Sequence, residues 1–371
     1  MIFCDLGDLE IRSPQAMQPA AHRCQPLKNF KFKLKASPRG RIGSPKFCHS
    51  KLKHMGSAML KWVVLAKRNA QLGNRLTMHA HLLAFCLEKG CVFLNPTFGE
   101  YADFFVGTRG RLLIQKDGAL RIRPLPNWQA KMAYAAVRIM YQLAKVSRLV
   151  PWFPIQSGKA TRNPQGKGLR EFLEALETKG GRLAVVSTWK IRSYELCAKH
   201  AEAIRRLFLP VPRLRKTADH KLKTLRAKVD LILGVHIRHG DYRRHAGGAL
   251  FFAPADYRRW MEEFAACFPG QKLGFAVCSD AKQGAEDFSG LEVVFGPGND
   301  DADAYGNRRH DPVKSVIVED NYMLSQCDYI LGTVSTFCSW AAFWGNKPLL
   351  QVGSKCEHAI PERFVVPLGP D

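Results

Sequence analysis

Three polar clusters stand where a buried core would have no use for them. The first is His236-Ile237-Arg238-His239-Gly240-Asp241-Tyr242, which follows the apolar run Leu231 to Val235. Such a run reads as a strand covered on both faces, and its period of two puts His236 and Arg238 on one side. A guanidinium at a strand end can grip a diphosphate through two parallel hydrogen bonds. It can equally pair with Asp241 as a structural ion pair across the turn. The second cluster is Thr333-Val334-Ser335-Thr336, between the strand-like Tyr329 to Leu331 and a helix. Ser335 or Thr336 suits an N-cap. A helix start offers free N–H groups and a positive dipole end that together hold phosphate, and the two hydroxyls can add bonds to the same oxygens. An ordinary capped helix would carry the same residues. The third is Asp320, which falls on the apolar stripe Val313, Ile317, Leu324, Cys327 of a helix opened by Asp311 and Pro312. A buried carboxylate needs a partner. The adjacent N1–H and N2–H of a guanine would serve, and so would a nearby Arg or Lys.

Fainter signals surround these. Gly73 and Asn74 end the first strand-to-helix loop, either facing a cleft or forming a capping turn. Asp300-Asp301-Ala302-Asp303 has the spacing of a metal-holding carboxylate pair, but it sits in a Gly/Asn-rich loop where acids are normally solvated. No metal is expected there. The eleven cysteines are scattered and form no CxxC pair, so zinc is not expected and reduced thiols are.

The elements that position these residues alternate β and α. Trp62 to Ala66 reads as a strand, Arg75 to Lys89 as a helix closed by Gly90, and Cys91 to Leu94 as a strand, a βαβ unit with a parallel sheet. From there to about 230 the pattern is less regular. It gives a helix over 130–146, a surface loop over 151–168, a strand at Leu183 to Val186 and a helix from Tyr194 to Phe208 closed by Pro210 and Pro212. Beyond 230 it predicts strands at Leu231–Ile237, Leu273–Cys278, Leu291–Phe295, Tyr329–Leu331 and Pro348–Val352. Helices are predicted at Pro254–Ala266, Pro312–Gln326 and Thr336–Trp344. That is a doubly wound, Rossmann-like pattern, whose ligands bind beyond the carboxyl ends of the strands.

The chain has 371 residues, enough for two domains, with 46% hydrophobic and 24% charged residues. The expected organisation is a basic segment 1–58, an N-terminal α/β domain 59–225, and a C-terminal Rossmann-like domain 226–371. Residues 1–58 are either a disordered tail or residues ahead of a start at Met55 or Met59. No stretch of 18 apolar residues occurs, and Asp5, Asp8 and Glu10 precede any basic residue, unlike a secretory leader. A bacterial, cytoplasmic protein is expected, with a peripheral place at the inner membrane open to it. The net charge is +24, and residues 1–58 hold eleven Lys or Arg against three acids. That excess exceeds what a diphosphate needs and leaves room for an anionic membrane or anionic glycan. Nucleic acid is disfavoured, since residues 1–58 have only Phe3, Phe30, Phe32 and Phe47 as aromatic residues.

Taken together, these segments resemble the α-1,2, α-1,6 and protein O-fucosyltransferase superfamily. His236 to Tyr242 is similar to its H-x-R-R-x-D-Y element, and Asp320 to Asp328 with Thr333 to Phe337 to its D-x-x-x-L-S-x-x-D element and Ser-rich turn. Gln71-Leu72-Gly73-Asn74-Arg75 is similar to its G-x-G-N-Q loop. The resemblance spans residues 62–352 sparsely and is strong only in 231–345. It implies two Rossmann-like domains in a GT-B-like arrangement facing a central cleft, and metal-independent, inverting transfer of fucose from GDP-fucose to a glycan. On that resemblance His236 and Asp320 contact guanine, Arg238 holds the β-phosphate and stabilises the departing GDP, and Ser335 and Thr336 bind the same phosphate. Asn74 lines the cleft, and Asp241 either serves as base or braces Arg238. Another nucleotide sugar, or a non-catalytic binding role, is the alternative. Two positions depart from the family pattern: His239 replaces its second Arg, and Leu72 a Gly.

Overall fold

The computed structural model describes residues 62–109 except 67 and 69, residues 192–300, and residues 311–371. Between 110 and 191 it describes 113–116, 120–121, 135–139, 155–156 and 183–186, with single positions 128, 132 and 142. The segment 1–58, the acidic run 301–303 and most of the expected loop 151–168 lie outside the described residues. His54–Asp371 belong to one compact unit.

That unit holds two sheets. The first contains β1 (Trp62–Leu65), β2 (Val92–Leu94), β3 (Leu113–Lys116), β4 (Leu120–Arg121), β5 (Ile155–Gln156) and β6 (Leu183–Val186) in the order β4-β3-β2-β1-β6-β5. β1 runs parallel to both β2 and β6, while β3 and β4 form an antiparallel edge. Helix α1 (Leu72–Lys89) joins β1 to β2 and ends at Gly90, whose φ of 71° only glycine adopts freely. α1 starts three residues earlier than its apolar periodicity suggests, so Leu72, Gly73 and Asn74 form its first turn and not a loop.

The second sheet is wholly parallel: β7 (Leu231–Ile237), β8 (Leu273–Ser279), β9 (Glu292–Phe295), β10 (Tyr329–Thr333) and β11 (Leu349–Val352), ordered β11-β10-β7-β8-β9. The expected single helix at 194–208 is two: α2 (Tyr194–Lys199) and α3 (Ala201–Leu207). They part at His200, which leaves helical geometry at φ −105°, ψ 16° while its ring bonds Glu88. Pro212 does not close a helix but opens α4 (Pro212–Arg226), as proline can at a first turn. The basic stretch there buries Leu214, Ala218, Leu222 and Leu225 and turns its charges outward. α5 (Pro254–Ala266), α6 (Asp311–Ser325) and α7 (Thr336–Gly345) complete the second sheet.

A continuous core joins the sheets. Trp340 and Phe343 of α7 sit in the same buried cluster as the apolar face of α1, and the rings of Phe208 and Trp340 meet edge to face at 5.1 Å. The Trp344 indole N–H donates to the Arg205 carbonyl at 3.0 Å, and the Arg205 Nε–H to the Phe343 carbonyl at 2.9 Å. Truncating a side chain as large as buried Trp340 costs about 3–5 kcal/mol.

Candidate functional site

Chain order reverses beside β7. The strands that follow it build outward through β8 and β9, and the chain then returns to β10 on β7's other flank. Such a reversal opens a crevice at the carboxyl ends of the two diverging strands. Arg238 leaves the end of β7 and Val334 the end of β10, two residues beyond the paired His236 and Gly332. The first sheet repeats the device, with β2 and β6 on opposite sides of β1. Ala70 and Gln71 follow β1, and Arg192 follows β6. All of these residues line one cleft of about 830 Å³.

Within it, Arg238 is held from two sides. Its Nε and Nη2 lie 3.0 Å and 2.8 Å from Asp241 Oδ1, and Nε lies 3.2 Å from Asp280 Oδ2. Burial opposes its charge, but the Asp280 and Asp241 carboxylates outweigh this and raise its pKa further. Asp280 is itself fixed, because its Oδ1 accepts the N–H groups of His239 and Gly240 at 2.7 Å and 3.0 Å. The Tyr242 ring lies 5.3 Å from the guanidinium carbon, and its hydroxyl donates to the Val334 carbonyl at 2.8 Å. That bond ties the β7 turn to the β10 turn. Both readings of Arg238 therefore hold in part: it is ion-paired with Asp241, and it faces the cleft.

Two helix starts meet at the same place. Ser335 is the N-cap of α7, its Oγ accepting the Phe337 N–H at 3.1 Å. α1 begins opposite, with no acidic residue in the first turn of either helix. A Cβ on Gly73 would fall 2.6 Å from Thr336 Oγ1 and 2.9 Å from the Phe337 nitrogen. Only glycine lets the two helices approach this closely. Each helix start carries roughly half a positive charge and unsatisfied N–H groups. The charged side chains nearly cancel in pairs: Arg75 and Arg68 with Glu100, Arg192 with Asp371, and Arg238 with Asp241 and Asp280. The helix starts thus tip the cleft toward anions.

The expected residues Arg238, Asp241, His236, Ser335, Thr336, Gly73 and Asn74 all line this cleft. His236 is buried, its ring 4.6 Å from that of Phe337 and its Nδ1 3.0 Å from Cys338 Sγ. Burial, aided by Arg238, lowers its pKa to about 3, so the ring is neutral at physiological pH. Asp320 is not among the lining residues. It is 1% exposed, its Oδ1 accepts the Gly298 N–H at 3.0 Å, and a Cβ on Gly296 would fall 2.5 Å from that oxygen. A backbone amide of the turn after β9 therefore holds that one oxygen, in a place outside the cleft lining. His239 points its Nε2 to the Phe252 carbonyl at 2.8 Å, buried outside the lining.

Sequence reading missed Asp280, Arg192 and Asp371. Asp280 carried a signal, a polar Ser279-Asp280 step ending an apolar strand just as His236–Arg238 does. Arg192 and Asp371 had none, because only the fold brings them together. The Asp371 N–H donates to Ser339 Oγ at 2.7 Å, and the Tyr194 hydroxyl donates to Asp371 Oδ1 at 2.9 Å.

No protein-family model matches the sequence, and no curated protein matches it by sequence. Solved structures do. A mutant of Arabidopsis thaliana FUT1 in complex with GDP is 13% identical with a TM-score of 0.51, covering 84% of this chain and 75% of that one. The NodZ α-1,6-fucosyltransferase of Bradyrhizobium, co-crystallised with GDP, is 16% identical at a TM-score of 0.48, covering 79% and 94%. POFUT1 in complex with GDP is 12% identical at 0.40, covering 79% and 99%. The likeness to FUT1 is one of fold, and the chain accordingly has a mixed α/β fold of the GT-B-like kind, with a mixed sheet and a parallel sheet whose strand ends line one cleft.

Proposed function

We propose that the chain is a glycosyltransferase that moves fucose from GDP-fucose to a glycan hydroxyl, with inversion at the anomeric carbon. The observation that carries this reading is the convergence of Arg238 and the α7 start on one cleft at the switch between β7 and β10. The fold shared with a GDP-bound FUT1 structure supports it. The lobe 226–371 would take the nucleotide and the lobe 59–225 the acceptor.

In the reaction, the acceptor oxygen bonds to C1 of the sugar from the face opposite the diphosphate. The C1–O bond to the β-phosphate breaks, and its electron pair leaves with GDP. Charge grows on the phosphate oxygens, and a fixed guanidinium with helix N–H groups meets it without reorganising. Buried Asp280 stays beside the guanidinium as an ion pair, while Nη2 and the Nε–H that donates to exposed Asp241 turn from that carboxylate to the phosphate. Ser335 and Thr336 add hydroxyls, and Asn74 faces the sugar. Neutral His236 offers a ring nitrogen to the base. Asp241 braces Arg238 as it stands, and takes the acceptor proton once the guanidinium has turned to the phosphate. In this reading Arg238 and the helix starts supply the positive charge that a metal supplies elsewhere.

A second reading keeps the transfer but changes the nucleotide. It is favoured by one observation: Asp320, the expected guanine partner, is engaged by Gly298 outside the cleft lining. A thermal-shift series with GDP, UDP, ADP and CMP separates the readings, since only a ligand that binds the native state stabilises it. GDP is expected to raise the melting temperature of the wild type and not of Arg238→Ala. A preference for UDP would select the second reading. No response to any nucleotide would sink both.

A further inference from the structure

Between Asp117 and Glu171 the chain has no acidic residue, yet it carries Arg121, Arg123, Lys131, Arg138, Lys145, Arg148, Lys159, Arg162, Lys167 and Arg170. Within this stretch, positions 128, 132, 135–139 and 142 are helical. At 100° per residue, Trp128, Met132 and Ile139 fall within 40° of one another, and Val137 falls opposite them. The exposures follow that geometry. Val137 is 6% exposed and packs with Val64, Ala66 and Val185 on the first sheet. Trp128, Met132 and Ile139 are 64%, 64% and 60% exposed. Arg138 is exposed beside them. The described helical positions therefore turn an apolar stripe to solvent within a stretch that is wholly basic in sequence.

We infer that this helix face docks on an anionic lipid surface. An outward stripe of Trp128, Met132 and Ile139 with exposed Arg138 beside it fits the boundary between headgroups and acyl chains, where the indole and apolar chains sink and the guanidinium meets lipid phosphate. The chemistry disfavours other occupants. A second copy placed face to face would oppose cation to cation across a symmetric contact. A single-stranded nucleic acid would use stacking rings, and has no use for Met132 and Ile139. This surface lies outside the cleft lining, and its function does not depend on the donor bound there.

Flotation of the full chain with vesicles tests the inference. Wild type is expected to float with vesicles of phosphatidylglycerol and phosphatidylcholine and to stay unbound with phosphatidylcholine alone. The triple variant Trp128→Gln/Met132→Gln/Ile139→Gln is expected to partition at least about tenfold more weakly, with its melting temperature within about 2 °C of wild type. Arg138→Glu, a single exposed change, is expected to weaken binding in the same direction and covers the case in which the triple variant misfolds. Failure of wild type to float would overturn the inference. So would equal flotation of the variants, which would place any binding elsewhere in the chain. A wild-type dimer made monomeric by the triple change, or a single-stranded RNA gel shift abolished by it, would overturn it in favour of the corresponding partner.

Discussion

Two carboxylates touch Arg238 but hold it differently. Asp280 has a 7% exposed side chain and is anchored by two backbone N–H groups, whereas the Asp241 side chain is 50% exposed. Asp280→Asn would keep the anchored oxygen and set an amide against the guanidinium. We expect it to weaken nucleotide binding about tenfold, the worth of one well-placed charge interaction near 1.4 kcal/mol. Asp241→Asn removes a competitor for the nitrogens that meet phosphate, so nucleotide affinity should hold or rise. Titration calorimetry with GDP on both variants decides the matter, and equal losses would contradict the division of roles. Of this site, Arg238, His236, Ser335 and Thr336 were legible because polar residues that end apolar strands break a pattern a reader can see. Asp280 was equally visible and went unread. For Asp320 helical periodicity reported burial, which the structure shows, but periodicity does not say which group meets a buried carboxylate, and Gly298 N–H meets one of its oxygens.

The helices set the cleft's shape through their closest contact. Gly73→Ala would drive a methyl group into Thr336 Oγ1 and the Phe337 nitrogen, and a backbone nitrogen cannot step aside as a side chain can. Overpacking of this kind costs about 1–3 kcal/mol. A chemical denaturation series should register that loss, and GDP affinity should fall with it because both helix starts move. If Gly73→Ala lost no stability, the close approach would be refuted. Ser335→Ala is the milder companion, losing its cap bond for about 1 kcal/mol. Most elements were legible for local reasons. The buried parallel strands β7 and β8 are apolar up to His236 and Ser279 near their ends, and α1 ends at a glycine with φ 71°. The antiparallel edge β3–β4 and the two-residue β5 were not, because short edge strands are chosen by the partner they pair with. α4 went unread because four buried side chains hold a helix whose other positions are overwhelmingly polar.

At the scale of the whole molecule, three buried histidines couple folding to pH. His79 lies in a cage of Phe93, Phe98 and Phe208 with its Nδ1 3.0 Å from Asn95 Nδ2. His81 accepts the Ser193 N–H at Nδ1 and donates from Nε2 to the Pro370 carbonyl, clasping the segment that returns from the second sheet. His236 stands in the cleft. Burial holds each near a pKa of about 3, against an ordinary value of 6.5. The unfolded chain therefore binds protons that the folded one refuses between pH 6.5 and 3. Stability is full above pH 6.5 and falls as the pH drops. At pH 5 each group costs about 2 kcal/mol, so the three together approach the whole stability of a typical domain. The carboxylates held low, Glu88 at about 2 with Glu263 and Glu357, act mainly below their ordinary 4.5 and leave the span from pH 7 to pH 5 to the histidines. Urea denaturation at pH 7 and pH 5 should show the drop. His79→Asn can still accept from Asn95 but no longer titrates, and whatever it loses at pH 7 it should lose about 2 kcal/mol less than wild type on going to pH 5. An unchanged slope in that variant would mean His79 is protonated in the folded state, and its aromatic cage would then have to be a cation site.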